Sequence, residues 1–260
     1  MKLRHSSTPW RWALAGVVLG LSFSTVLFAP ARWVALLVQQ ASRSQVLLME
    51  ARGTVWAGSA RVVVTGGVGS QEAATLPGRL AWHLAPALHG ATLQLKADCC
   101  MQQAWAMQLQ PRWNGVQLRL ADARSLWPAS LLAGLGTPWN TIQLQGALQL
   151  STQGLALAWT AGRMLLTGAA ELDAVHMSSH LSTLRPMGSY RFSVTGGAPV
   201  TLALTTLQGS LQLSGSGQWV GGQLRFNGEA TAVPEHQAAL SNLLNLIGRR
   251  NGARSIIKVG

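Results

Sequence analysis

The sequence predicts a mainly β protein: a single N-terminal transmembrane helix, then an antiparallel, curved β-sheet domain, sandwich or open groove, with a helix near its C-terminus. Three observations carry that expectation. Residues Trp12 to Ala31 contain no charge, and a helix needs about 20 apolar residues to cross roughly 30 Å of hydrocarbon. From Leu207 to Trp219 apolar or glycine positions alternate with polar ones without a break, which is the period of a half-buried strand. From Pro234 to Gly248 apolar residues return at helical spacing.

The N-terminal run gives the chain its compartment. Lys2, Arg4 and Arg11 precede it, so residues 1–11 are expected in the cytoplasm, 12–31 in the membrane and 33–260 on the far side. The anchor's apolar side chains are Trp12, Leu14, Val17, Val18, Leu19 and Leu21, followed by Phe23, Val26, Leu27 and Phe28. Trp10, Trp12 and Trp33 stand where interfacial aromatics sit. The competing reading is a cleaved secretory signal, since Ala29-Pro30-Ala31 offers small residues at the end of the run. Either way the bulk of the chain is exported.

Strands fill the exported part. Val116–Leu120, Leu93–Lys96, Ile142–Gln145, Leu148–Leu150 and Leu155–Trp159 all alternate, with Gly, Asn or Pro turns about every ten residues. Such spacing, without intervening helical patterns, argues for antiparallel pairing. After the turn dipeptide Gly221-Gly222 the alternation resumes in Leu224, Phe226, Gly228 and Ala230, which makes a hairpin with the preceding strand. Leu144–Ser151 and Leu207–Ser214 agree at seven of eight positions, compatible with two similar halves or with chance repetition of a simple alternation. Leu126–Gly136 reads as a short turn or helix ending at glycine. The C-terminal helix has Pro234 at its start, Glu235 near its positive end and Arg249-Arg250 beyond its negative end. Its stripe of Leu240, Leu243, Leu244 and Ile247, with the sheet residues Leu207, Leu211, Leu213 and Trp219, forms the candidate partner or groove face.

Composition excludes several classes. Of 260 residues 48% are hydrophobic and 11% charged, with a formal net charge of +12. No nucleic-acid motif occurs and the aromatics are not interleaved with basic residues as stacking platforms are. The local cluster Arg249, Arg250, Arg254 and Lys258 suits anionic lipid headgroups or an acidic protein surface instead. The two cysteines, Cys99 and Cys100, are adjacent and match no zinc or iron–sulfur spacing; buried thiols and a vicinal disulfide are both open to them. His176 and His180, with Asp173 nearby, have ligand spacing only on a helix, and their surroundings read as strand. Glu171 and Asp173 are a thin basis for acid–base work. No nucleophile elbow, phosphate loop or dinucleotide fingerprint is present. No enzyme activity, cofactor or metal is expected.

Several segments together resemble protein N of the bacterial type II (general) secretion pathway. They are Gly53-Thr54-Val55-Trp56-Ala57-Gly58-Ser59-Ala60, Leu80–Leu84, Met187–Arg191, Gly215–Trp219 and Asn242–Arg250. Their order and spacing carry the likeness over nearly the whole chain. The resemblance implies an accessory of the inner-membrane platform that faces the periplasm and works through contacts with other platform proteins. Two functions follow as expectations: an assembly module using strand edges and the C-terminal helix, or a β-groove whose dry face carries lipid. They differ in whether that face is closed.

Overall fold

The computed structural model describes residues 10–160, 162–220 and 223–260. The basic residues Lys2 and Arg4, and the turn dipeptide Gly221-Gly222, lie outside the described residues. Helix α1 spans Trp10–Leu27 and α2 spans Arg32–Ala41. The expected span of 12–31 is not met as one element, because α1 stops at Leu27. The apolar run continues, but its backbone is claimed by the loop after the first strand. Val55 N–H donates to Ala29 O at 2.8 Å, Ala31 N–H donates to Gly53 O at 3.0 Å, and Pro30 pairs with Thr54. Trp56 Nε1 donates to Val26 O at 2.9 Å, satisfying one of the carbonyls a helix end leaves orphaned. With 18 residues, α1 is roughly 27 Å long at about 1.5 Å per residue. Among the described residues, no helix is long and apolar enough to cross a membrane.

The strands follow in order. β1 (Val46–Gly53), β2 (Ala57–Thr65), β3 (Ala73–Thr75), β4 (Leu80–Ala87) and β5 (Gly90–Ala97) lead to β6 (Trp105–Arg112), β7 (Gly115–Leu120) and β8 (Arg124–Pro128). A 3₁₀ helix, Ala129–Leu135, and the short α3 (Trp139–Ile142) precede the two long strands β9 (Gln145–Thr160) and β10 (Arg163–Ser178). Next come β11 (Gly188–Thr195), β12 (Val200–Gly209), β13 (Leu211–Val220) and β14 (Gln223–Ala232). A 3₁₀ turn at Pro234–His236, α4 (Gln237–Ile247), β15 (Arg249–Asn251) and β16 (Arg254–Val259) close the chain. All sixteen strands belong to one antiparallel sheet, ordered β1-β2-β4-β5-β6-β7-β9-β10-β11-β12-β13-β14-β16-β15, with β3 beside β2 and β8 beside β9. Of the two architectures expected, the open sheet is the one formed. The hairpin β9–β10 is its spine: β7 and β8 both pair with β9, at opposite ends, and β11 pairs with β10.

One face of the sheet is apolar, and short helical segments cover it. Near α1, Val34 of α2 packs with Leu48 of β1 against Ala31, Ala60 and Trp82. In the middle, Leu131 of the 3₁₀ helix lies over Leu76, Ala97, Cys100 and Met101. Cys99 and Cys100 are joined as a vicinal disulfide, so the buried-thiol alternative does not apply. At the far end Leu240, Leu243 and Leu244 of α4 are fully buried against β13, β14 and their neighbours. Trp127 packs against both the middle and far clusters.

The alternating run from Leu207 to Trp219 is two strands, not one. The chain reverses at Ser210, between β12 and β13, and a tight turn changes which face each residue takes. Leu211 is 1% exposed on the covered face, whereas Leu207 is 48% exposed on the other. Trp219 shares the face of Leu211 but lies beyond the reach of α4 and is 42% exposed. The hairpin β13–β14 is in the expected register, with Gly217 opposite Phe226 and Leu213 opposite Ala230. Its glycines have a packing reason: a Cβ at Gly217 or Gly228 would meet the Phe226 ring at 2.9 Å, so the ring fills the space that side chains would occupy. Likewise Leu144–Ser151 enters one strand while Leu207–Ser214 crosses a turn. The two similar segments therefore hold different places in the sheet.

Replacing Leu211 by Asp puts an unpaired charge on the covered face and should cost about 4 kcal/mol or more. Gln212→Asp, one residue along on the exposed face, should stay within about 1 kcal/mol. Chemical denaturation of both full-length variants checks this, and equal loss at the two positions would refute the face assignment.

Candidate apolar cavity and basic cleft

The coverings over the far half of the sheet do not meet. The 3₁₀ helix and α3 arrive from one side with Leu132, Trp139 and Ile142, and α4 arrives from the other with Leu243, Leu246 and Ile247. Between them a cavity of about 550 Å³ remains. Its floor is the inward set of β9 to β13, which includes Leu148, Leu172, Tyr190, Phe192, Leu204 and Leu213. The register puts these side chains together: Leu172 pairs with Phe192, Phe192 with Leu204, and Ala174 with Tyr190. Leu246 is 42% exposed at the α4 side. The volume falls in the range of small-molecule sites, about 300–1,000 Å³, and the lining is almost wholly hydrocarbon.

The Tyr190 ring lines this wall, while its hydroxyl is turned away from the open space and lies against Gly188. The hydroxyl is buried and has no hydrogen-bond partner. Burial raises its pKa above the ordinary tyrosine value, because a phenolate would have to exist without water around it. The group therefore stays a neutral donor.

A second depression adjoins the first at the sheet's end. It holds about 730 Å³ and is lined by Arg249, Arg250 and Lys258 together with Ile247, Ile257 and Val259, the last three shared with the apolar cavity. It exists because β15 is only three residues long and pairs with Arg254–Ile256, so the outer side of residues 257–259 has no strand beside it. Arg250 stands opposite Ser255, a fully buried residue whose hydroxyl donates to Leu244 O at 2.6 Å. Cross-strand partners share a face, so Arg250 lies on the covered side with Ile257. Arg249, opposite Ile256, and Lys258 lie on the other side of the same edge. Arg250 Nε donates to Gly252 O at 2.8 Å, while its Nη1 is buried without a partner. The nearby carboxylate of Glu229 is engaged by Arg254 at 3.6 Å.

The opposite face of the sheet is polar and tied to itself. Arg191 donates from Nε and Nη2 to the two Asp173 oxygens, each at 2.7 Å, and its Nη1 lies 3.6 Å from Glu171. The Asp173 hydrogen bonds, with the negative field of both carboxylates, raise the Arg191 pKa further, against a desolvation that lowers it. Asp173 and Glu171 are thus held by a fork-shaped cation and are not free for acid–base work. Among the described residues, no group of three or more His, Cys, Asp or Glu could hold a metal ion; His180 instead sits 3.4 Å from Gln145 Nε2.

The candidate face divides as follows. Leu211, Leu213, Leu243 and Ile247 line the cavity, Leu240 and Leu244 are packed beneath it, and Leu207 and Trp219 stand apart. The sequence pattern does not single out Tyr190, Phe192 or Leu204, and it places Arg250 in the basic cluster without separating it from its neighbours. The alternations Tyr190-x-Phe192 and Leu202-x-Leu204 were visible, but nothing in them told which face was covered.

A family model described as type II secretion system (T2SS), protein N, matches residues 44–257. No curated protein and no solved structure matches the chain.

Tyr190→Phe deletes a buried hydroxyl that nothing in the fold satisfies. Stability of the full chain should rise by about 1 kcal/mol, read as a higher denaturation midpoint. A fall of similar size would mean the hydroxyl has a partner in the folded protein.

Proposed function

The chain belongs to the type II secretion system protein N family, and from that membership we propose that it is a non-enzymatic component of the inner-membrane platform, acting in platform assembly or support through periplasmic protein contacts. Membership carries a role in type II secretion and association with other components of that system. In this reading α1 is the membrane anchor and the sheet is the periplasmic body. The apolar side chains of α1 face outward all round, from Trp12 at 82% down to Leu27 at 45% exposed. Helices of that kind belong in a core or a bilayer, and among the described residues no core receives this one. A helix of about 27 Å falls a little short of a typical hydrocarbon layer, a mismatch that local bilayer thinning accommodates at small cost.

The observation that carries the proposal is the seating of Ala29-Pro30-Ala31 in the loop after β1. That loop binds the chain on both sides of Pro30 and takes the end of α1 through Trp56. An anchor joined in this way holds the body against the membrane rather than at the end of a flexible leash. It also buries Ala29 and Ala31, the residues a signal peptidase would need extended and accessible. Contacts with neighbours would use the two sheet edges, β1 at one end and the short β15 with the unpaired flank of β16 at the other.

A second reading is favoured by one feature. The apolar cavity of about 550 Å³ suits a lipid chain better than it suits a protein edge, so the body would also serve as a β-groove that binds lipid.

Photo-crosslinking from Met49 on β1, in intact membranes, should recover other secretion-platform proteins. Recovering none from either edge would sink the assembly role. A reporter fused after Gly260 should be active outside the cytosol, and activity inside would overturn the topology.

A further inference from the structure

We propose that the apolar cavity and the basic cleft form one site for an anionic phospholipid. Its acyl chain lies between α4 and the floor strands against Leu204, Leu213 and Ile247, and its phosphate is held by Arg250, with Arg249 and Lys258 at the rim. This rests on the lipid-groove reading above and adds to it the class of headgroup and the residues that select it.

Two independent features meet at one place. The first is a hydrocarbon-lined hollow, which takes apolar ligand surface because water gains little there. The second is the set of three cations at the β15–β16 edge, Arg249, Arg250 and Lys258. Arg250 has a buried, unpartnered Nη1, and among the described residues Arg249, Arg250 and Lys258 make no salt bridge with a carboxylate. Nη1 itself is closed off from the cleft; Arg250 lines the cleft through the rest of its side chain, and an oxygen anion there is the acceptor that suits a planar guanidinium. Ile247, Ile257 and Val259 line both spaces, so a ligand with a charged end and an apolar end passes from one to the other without crossing a polar barrier. An acidic protein helix would satisfy the cleft but would not fill a hollow roofed by α4 and α3.

The test uses the full chain in phosphatidylcholine nanodiscs, with lysophosphatidylglycerol or lysophosphatidylcholine carrying a diazirine in the acyl chain. Crosslinked peptides are identified by mass spectrometry. Labelling of α1 by bilayer-dissolved probe serves as the internal reference. The expected result is labelling of β11 to β13 or α4 by the anionic probe, about tenfold above the zwitterionic one, which corresponds to about 1.4 kcal/mol of headgroup preference. Arg250→Gln should remove that preference while α1 labelling stays unchanged. Because Arg250 is partly buried, the exposed double substitution Arg249→Gln with Lys258→Gln provides a second arm and should reduce the preference without altering the denaturation midpoint. Equal labelling of the cavity by both probes, insensitive to all three substitutions, overturns the headgroup assignment and leaves the lipid groove standing. Labelling of α1 alone overturns both, and the cavity then takes no lipid.

Discussion

An antiparallel sheet with one apolar face must have that face covered, and here the cover is supplied by short helices instead of by a second sheet. Burial at about 25 cal/mol per Å² makes an uncovered face of this width untenable in water. The chain meets the requirement piecewise. α2 lies over the strands next to α1, the 3₁₀ helix after β8 lies over the middle, and α4 lies over the last strands. Each cover is too short to overlap the next throughout. The cavity is where two of them fail to meet, so the fold's main energetic constraint and its candidate site have one origin.

The same constraint organises the ends. Two long strands, β9 and β10, paired along most of their length, join the α1-side strands to the α4-side strands as a continuous surface. At the first edge, the loop 53–58 folds back to take the end of α1, using Trp56 and the backbone of Gly53 and Val55. Gly53 has φ +90°, a left-handed conformation that glycine adopts without penalty. At the last edge, three-residue β15 leaves part of β16 unpaired and brings three cations around it. An unpaired edge flanked by Arg and Lys resists indiscriminate strand addition and favours an anionic or acidic partner.

Most of the fold was legible in the sequence because period-two alternation survives in an antiparallel sheet with one wet face. What was not legible has physical reasons. The break at Ser210 is invisible to periodicity, since a one-residue reversal lets Gly209 and Leu211 continue the alternation while Leu207 changes face. The helix end at Leu27 is invisible to hydropathy, since the residues beyond it are as apolar as those before; Pro30, which has no N–H to continue the helix, and the hydrogen bonds of Ala29 and Ala31 to the loop end it together. The four α4 residues were legible from helical spacing, and they divide into core and cavity wall by depth, which a stripe does not encode. Arg250 was visible as one of a basic cluster, but its difference from Arg249 depends on register with Ser255.

Backbone hydrogen exchange of the full chain in nanodiscs tests the open, helix-covered sheet most directly. The outward amides of β1 and of Ile257–Val259 should exchange at nearly unprotected rates while β9 and β10 remain protected. Protection of both edges at the level of β9 would mean that the sheet closes on itself or on a second copy, and would contradict this account.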